Sequence, residues 1–414
     1  PLPTQKLISM QLLMPSVTVL QALVKTKSFL GLLFSFVLGA CSTTNNNAPV
    51  NLKAGLPVGA ALSLTGNANV YGQDQRLGLE LAQAAFKPGS SMPLNLIIED
   101  GGSDEAGAIN AFNLLINQGT TALIGPTLSQ QAFAASPIAQ RRGVPVLAPS
   151  NTATGIPEIG SFISRVSAQS SVIAPLSINK VMQLDPAIKR VAVFYANDDA
   201  YSTSETTIFQ KAIKAKGLNT VTVQRTQLND QDFLNQITSA LRAKPDLVVL
   251  SLQAVDGGNL IRQLRELGFK GKIVVGNGMN TPNIYPICQR FCDGILIAQA
   301  YSPELETKEN QAFVSTHKAQ QGGRVPAQLT AQAYTAYQVI AEAAQRLNKR
   351  EPLKGMPLRQ ARLLLNKEIL SGSYNTPLGK ISFSRDGEVK QESFYVAEVQ
   401  MNPDGKTGRF ALLK

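Results

Sequence analysis

Two hydroxyl-bearing turns hold the chemistry this chain can do. Ser129 follows a Gly125-Pro126 turn and opens a helical pattern, and Ser150-Asn151-Thr152 follows the next apolar run. A serine at a helix start sets a hydroxyl beside free backbone N–H groups and the positive end of the helix dipole. Together these suit a carboxylate or other anionic oxygen. That is binding chemistry. The sets needed for catalysis are not assembled: the single histidine, His317, sits in a polar helical run and is expected on the surface. No Ser–His–acid set, metal cluster or Gly-rich loop with a Lys accompanies it. No enzymatic activity, metal or cofactor is expected. Cys288 and Cys292 stand four apart. On a helix that spacing is about 6 Å, within disulfide reach, and a bridge and two buried thiols are both open.

The surrounding elements must place the two turns. Residues 122–124 read as a strand, 130–142 as a helix stopped by Gly143, and 144–147 as the next strand. Parallel strands end on one edge of their sheet, the edge where open α/β sheets bind ligands. Upstream come a strand at 56–64, a polar loop at 65–71, an amphipathic helix at 72–86, a strand at 94–98 and a helix at 105–118. A strand at 161–166 closes the series. The alternation then restarts with strands at 190–195, 220–225, 247–252, 273–275 and 295–298 and helices at 203–216, 232–243 and 258–267. A repeated strand–helix alternation means βαβ units, parallel sheets and two similar lobes. After Tyr301 come helices at 310–320, 329–346 and 358–368. The last runs, 378–384 and 394–400, read as an antiparallel hairpin.

The chain has 414 residues, 44% of them hydrophobic, and a net charge of +11. The basic residues are scattered and the chain has no Trp. This suits a basic protein near an anionic surface and argues against nucleic-acid binding. Lys25 and Lys27 precede a short apolar run at 29–37, and Leu38-Gly39-Ala40-Cys41 fits a lipoprotein cleavage box whose Cys41 sulfur takes a lipid. Residues 1–41 are thus expected to be a lipoprotein signal segment, and the polar stretch 42–54 a flexible tether.

Several longer motifs stand in order between residues 56 and 394: LSLTG (62–66), YGQDQRLGLELA (71–82), IIEDGGSD (97–104), ALIGP (122–126), VPVLAPSNT (144–152), FISRV (162–166), VAVFYANDDAYS (191–202), DLVVLSL (246–252), LIRQLRELGFKG (260–271) and TPLGKISFSRDG (376–387). In that order the chain resembles a type I periplasmic binding protein of the leucine/isoleucine/valine-binding group of ABC-transporter receptors. The resemblance implies an α/β fold of two Rossmann-like lobes with parallel sheets, joined by a three-strand hinge. The crossings would fall near 166–168, 298–302 and 377–379, giving lobe 1 as 55–166 plus 300–378 and lobe 2 as 167–299 plus 379–414.

It further implies that a ligand carboxylate is held by Ser129 and the Ser150-Asn151-Thr152 turn. Tyr71 would line the side-chain pocket, and Tyr201 would close over it from the other lobe. Two departures stand out. Asn277 and Gln169 occupy places where amino-acid receptors carry acids for the ligand's ammonium, and Gln253 replaces an aromatic contact. An amide supplies a dipole and no charge; Asp198, Asp199 and Asp256 are the acids that could substitute. The implied role is a lipid-anchored, monomeric extracytoplasmic receptor. It would pass a small polar ligand (an amino acid, or an amide, urea-like or carboxylate compound) to permease subunits. The alternative is a regulator of the same fold that touches a cell-envelope protein such as a cell-wall synthase.

Overall fold

The computed structural model describes residues 46–86 and 92–413. The signal segment, Cys41 and the first residues of the expected tether lie outside them. The first half alternates β1 (Leu56–Leu62), α1 (Asn69–Ala85), β2 (Leu94–Asp100), α2 (Glu105–Asn117), β3 (Ala122–Ile124), α3 (Ser129–Arg141), β4 (Val146–Ala148) and β5 (Ile163–Arg165). Its five strands are all parallel, in the order β2-β1-β3-β4-β5. Nearly every residue of β1, β3 and β4 is buried, as expected where helices cover both faces of a parallel sheet. Strand order reverses at β1, so the crevice opens beyond the ends of β1 and β3.

The second half runs α4 (Ser170–Leu184), β6 (Arg190–Ala196), α5 (Ala200–Ala215), β7 (Asn219–Thr226), α6 (Leu234–Arg242), β8 (Leu247–Ser251), α7 (Ala254–Glu266), β9 (Lys272–Val275), α8 (Tyr285–Cys288) and β10 (Leu296–Gln299). The chain then returns to the first lobe through α9 (Lys308–Gln320), α10 (Gln328–Arg350), α11 (Leu358–Ser371) and the small antiparallel sheet of β11 (Ser373–Thr376), β12 (Gly379–Phe383) and β13 (Val389–Gln391). It ends with β14 (Tyr395–Met401) and β15 (Gly408–Leu412), which extend the second sheet to the order β15-β14-β10-β9-β8-β6-β7. Helix α10 packs on α1 backbone to backbone: a Cβ on Gly78 would fall 2.2 Å from the Thr330 carbonyl oxygen.

Five sequence expectations change. The last two runs do not form a hairpin: β12 pairs with β11 and β13, and β14 pairs with β10 and β15. Burial decides this, because Ile381 and Phe383 join the core that holds Leu56, while Ala397 and Val399 join the second core. The third crossing therefore falls at 392–394 and not at 377–379. The described part of the expected tether is docked. Val50 N donates to Met356 O, Leu358 N to Ala48 O and Arg359 N to Asn46 O, and Val50 is buried. Helix α1 starts three residues early, so Tyr71 lies in its first turn. His317 is buried at 4% exposure, since Asn310, Phe313, Val314 and His317 make one inward stripe of α9. Its Nδ1 lies 2.9 Å from Arg324 O, and burial lowers its pKa.

Arg165, at the end of β5, ties the first crossing to the last segment of this lobe. Its guanidinium is fully buried. Nη1 donates to Asn151 O at 3.0 Å and Ala153 O at 2.7 Å, Nε to Glu388 Oε2 at 3.0 Å, and Nη2 to Glu388 Oε1. Replacing Arg165 by Met leaves one carboxylate and two carbonyls without these donors. We expect a loss of about 3–5 kcal/mol, read as a lower urea midpoint with an unchanged slope.

Candidate functional site

The two sheet edges face each other across one narrow cavity of about 40 Å³. From the first lobe come Thr127, Leu128 and Ser129 at the end of β3, Ser150 and Thr152 after β4, Tyr71 of α1, and Gln328 and Leu329 at the start of α10. From the second come Tyr201, Gln253, Asn277, Gly278 and Asn280. Seven of the eight residues singled out for a ligand thus line this cavity. Asn151 does not: it is buried and its Nδ2 donates to Thr127 O at 3.0 Å, so it ties the two turns together.

The first-lobe wall is built by two glutamines. Gln131 accepts from Leu128 N at 3.0 Å and donates to Gly101 O and Gly102 O at 3.0 and 3.1 Å, joining the loops that follow β2 and β3. Gln75 donates to Ser150 Oγ at 2.7 Å and accepts from Thr127 Oγ1 at 2.6 Å. Ser150 Oγ in turn donates to Thr127 O at 2.6 Å, so that hydroxyl is already paired. Ser129 is the first residue of α3 and not its cap, which is Leu128. Ser129 Oγ accepts only a long bond, 3.4 Å, from Ala153 N, and the first-turn amides of α3 have no acceptor within the helix. Ser129 and Thr152 are therefore the hydroxyls of this wall with capacity for a ligand.

The second wall is built around Tyr201. Its hydroxyl donates to Glu205 Oε2 at 2.5 Å and accepts from Gly278 N at 2.6 Å. Glu205 Oε1 accepts from Asn277 N at 3.1 Å and Ser170 Oγ at 3.3 Å. Glycine is required where the 276–278 turn passes this ring: a Cβ on Gly276 would sit 1.7 Å from Glu205 Oε2, and one on Gly278 2.7 Å from Tyr201 Cε1. Glu205 was not foreseen, although its spacing from Tyr201 is that of helical neighbours on one face. Gln328 and Leu329 lie far along the chain and carry no local motif.

The lobes are in contact across the cavity. Tyr71 Oη donates to Gly278 O and accepts from Ala254 N, both at 2.6 Å. Gln328 Nε2 donates to Asn277 Oδ1 at 2.9 Å, and Thr154 N donates to Ser204 Oγ at 3.0 Å. Thr281 Oγ1 donates to Asp74 Oδ2 at 3.3 Å. Among the described residues no charged side chain lines the cavity. Asp198 accepts from Leu228 N, Asp199 from Tyr201 N and Gln253 Nε2, and Asp256 from Asn229 N. Gln169 caps α4, half-buried and off the cavity. Cys288 and Cys292 are disulfide-bonded behind α7, with Cα atoms 5.4 Å apart.

Burial raises the pKa of four acids near the cleft: Asp74, Glu205 and Asp256 to about 7 and Asp199 to about 6. A carboxyl held above its unfolded value binds its proton more tightly in the folded state. Its contribution is complete below about pH 4 and is lost as pH rises to about 7. The melting temperature should therefore fall between pH 5 and pH 8, and Glu205→Gln should shrink that fall in scanning calorimetry. A melting temperature that rises over this interval contradicts the assignment.

A family model described as "Periplasmic binding protein" matches residues 55–407. The chain belongs to this family. It is 24% identical over 348 residues to the Leu/Ile/Val-binding protein BraC3 of Rhizobium johnstonii, covering 82% of this chain and 90% of that one. It is also 24% identical to the leucine-, isoleucine-, valine-, threonine- and alanine-binding protein of Pseudomonas aeruginosa, covering 83% and 89%. Among solved structures, a leucine-binding protein from Thermotoga maritima superposes with a TM-score of 0.76 at 25% identity, covering 87% of this chain and 99% of that one. A solute-binding protein from Rhodopseudomonas palustris in complex with benzoate gives 0.74 at 21% identity, covering 86% and 96%.

Proposed function

We propose that this protein is an extracytoplasmic solute-binding receptor that passes a small carboxylate-bearing ligand to the permease subunits of an ABC transporter. One observation carries the reading: two lobes converge on an uncharged cavity whose first wall offers the Ser129 hydroxyl at the start of α3 and the Thr152 hydroxyl after β4. The names of the relatives agree with it. The two closing bodies are residues 46–166 with 300–391, and 167–299 with 394–413. Closure buries the ligand and shapes one surface that a permease can select, provided the ligand favours the closed state. Tyr71 and Tyr201 flank the ligand, Tyr71 from the first lobe and Tyr201 from the second.

The carboxylate role is tested at Ser129. Losing one hydrogen bond to a charged group costs about 1.5–3 kcal/mol, and about 1.4 kcal/mol is a factor of ten. Ser129→Ala should weaken binding of the molecule recovered by native mass spectrometry tenfold or more, with the fold intact. Unchanged affinity in calorimetry removes Ser129 from the site.

The receptor acts as a monomer held to the membrane through a lipid on Cys41. Cys41→Ser should move the protein from the membrane fraction to the soluble fraction. A mutant that stays with the membrane, together with a wild type whose mass shows no lipid, refutes the anchor.

A second reading, a regulator of the same fold that contacts a cell-envelope protein, is favoured by the small cavity and the Gln328 bridge across it. A purified protein that carries no small molecule and answers to none in thermal-shift screening would select it.

A further inference from the structure

The polarity of the second-lobe wall is set from outside the cavity. Ala300 N donates to Gln328 Oε1 at 2.8 Å. A backbone N–H can only donate, so that end of Gln328 is its oxygen and the other end its NH2 group. Gln328 Nε2 then donates to Asn277 at 2.9 Å, and the receiving atom must be Oδ1. Asn280 agrees from a second direction: Nδ2 donates to Gln328 Oε1 at 2.8 Å, and Oδ1 accepts from Gln299 Nε2 at 2.6 Å. These amides form a chain with one sense, anchored on a main-chain donor that cannot turn over. At its end Asn277 Nδ2 has no partner among the described residues, and Asn277 lies on the cavity wall.

No carboxylate reverses that polarity. Both Glu205 oxygens already accept, from Tyr201, Ser170 and the Asn277 N–H. Gln253 gives its nitrogen to Asp199 at 3.3 Å and leaves an oxygen over, but one neutral acceptor does not compensate a positive charge taken out of water.

We infer that the Ala300–Gln328–Asn277 relay is the specificity device of this cleft. It holds Asn277 as a donor, so the ligand brings a carbonyl, hydroxyl or second carboxylate oxygen to that wall, and a compound that brings an ammonium there is rejected. The inference rests on the receptor reading above and names its ligand class.

Matched probes that differ only in that group test it. Leucine is compared with 2-oxo-4-methylpentanoate, and 4-aminopentanoate with 4-oxopentanoate, by thermal shift and calorimetry. The oxo member of at least one pair should bind at least tenfold tighter to the wild type. Asn277→Asp keeps the Gln328 bond and puts a charged acceptor on the wall, so the order should invert. Gln328→Glu should invert it with Asn277 in place: both its oxygens accept, Asn277 must turn its oxygen to the cavity, and the new carboxylate on the cavity lining supplies the compensating charge. A purely structural role for Gln328 would lower both affinities and leave their ratio unchanged.

Tighter or equal binding of an ammonium member by the wild type overturns the inference and leaves the receptor reading standing. An order unchanged in both variants also overturns it. A co-purified molecule is judged by the same criterion, on whether it carries an ammonium. If no probe binds and nothing co-purifies, the receptor reading fails and the inference falls with it.

Discussion

A cleft that shuts between two sheet edges must pair every polar group it takes from water. An unpaired buried donor or acceptor costs about 1–3 kcal/mol, more when charged. This chain meets that constraint almost wholly with neutral side chains. Gln75 and Gln131 tie the loops of the first edge, and Tyr201 ties the turn of the second. Tyr71 completes the contact by joining one edge to two backbone groups of the other. The Tyr71 ring also packs in the apolar cluster of the second lobe, beside Leu128 and Leu329. The contact between the edges is therefore both hydrogen-bonded and apolar.

The charged groups are displaced one layer outward. Arg165 is fully buried, but it faces Glu388 and two carbonyls, not the cavity. The acids near the cleft bond to backbone amides and to neutral side chains, and burial raises their pKa. They support the wall without lining the cavity. What the cavity presents is a set of dipoles whose directions are dictated by partners behind them. On the inference drawn above, ligand selection depends on residues that do not touch the ligand, Ala300 above all.

Much of this molecule could be read along the chain. Strand–helix alternation and helix-stopping glycines located most elements, because hydrophobic periodicity and backbone conformation are local properties. The turns at Ser129 and at 150–152 were legible for the same reason: strands that end on one edge bring their following turns together. The alternation, read twice, pointed to two lobes.

Other features were settled only when the chain folded back on itself. Whether 379–383 pairs with 395–401 depends on which core holds Ile381 and which holds Val399, and local pattern is alike in both. Asn277 could be seen as an amide in place of an acid, but the end of that amide facing the cavity is decided by Gln328, fifty-one residues away. Ser150 and Asn151 look equivalent to Thr152 in sequence. Their partners Gln75 and Thr127 occupy them, and Thr152 is left to face the cavity. Sequence determined which residues could form hydrogen bonds at this edge. The tertiary structure decided which of them are already spent, because pairing is a property of neighbours in space.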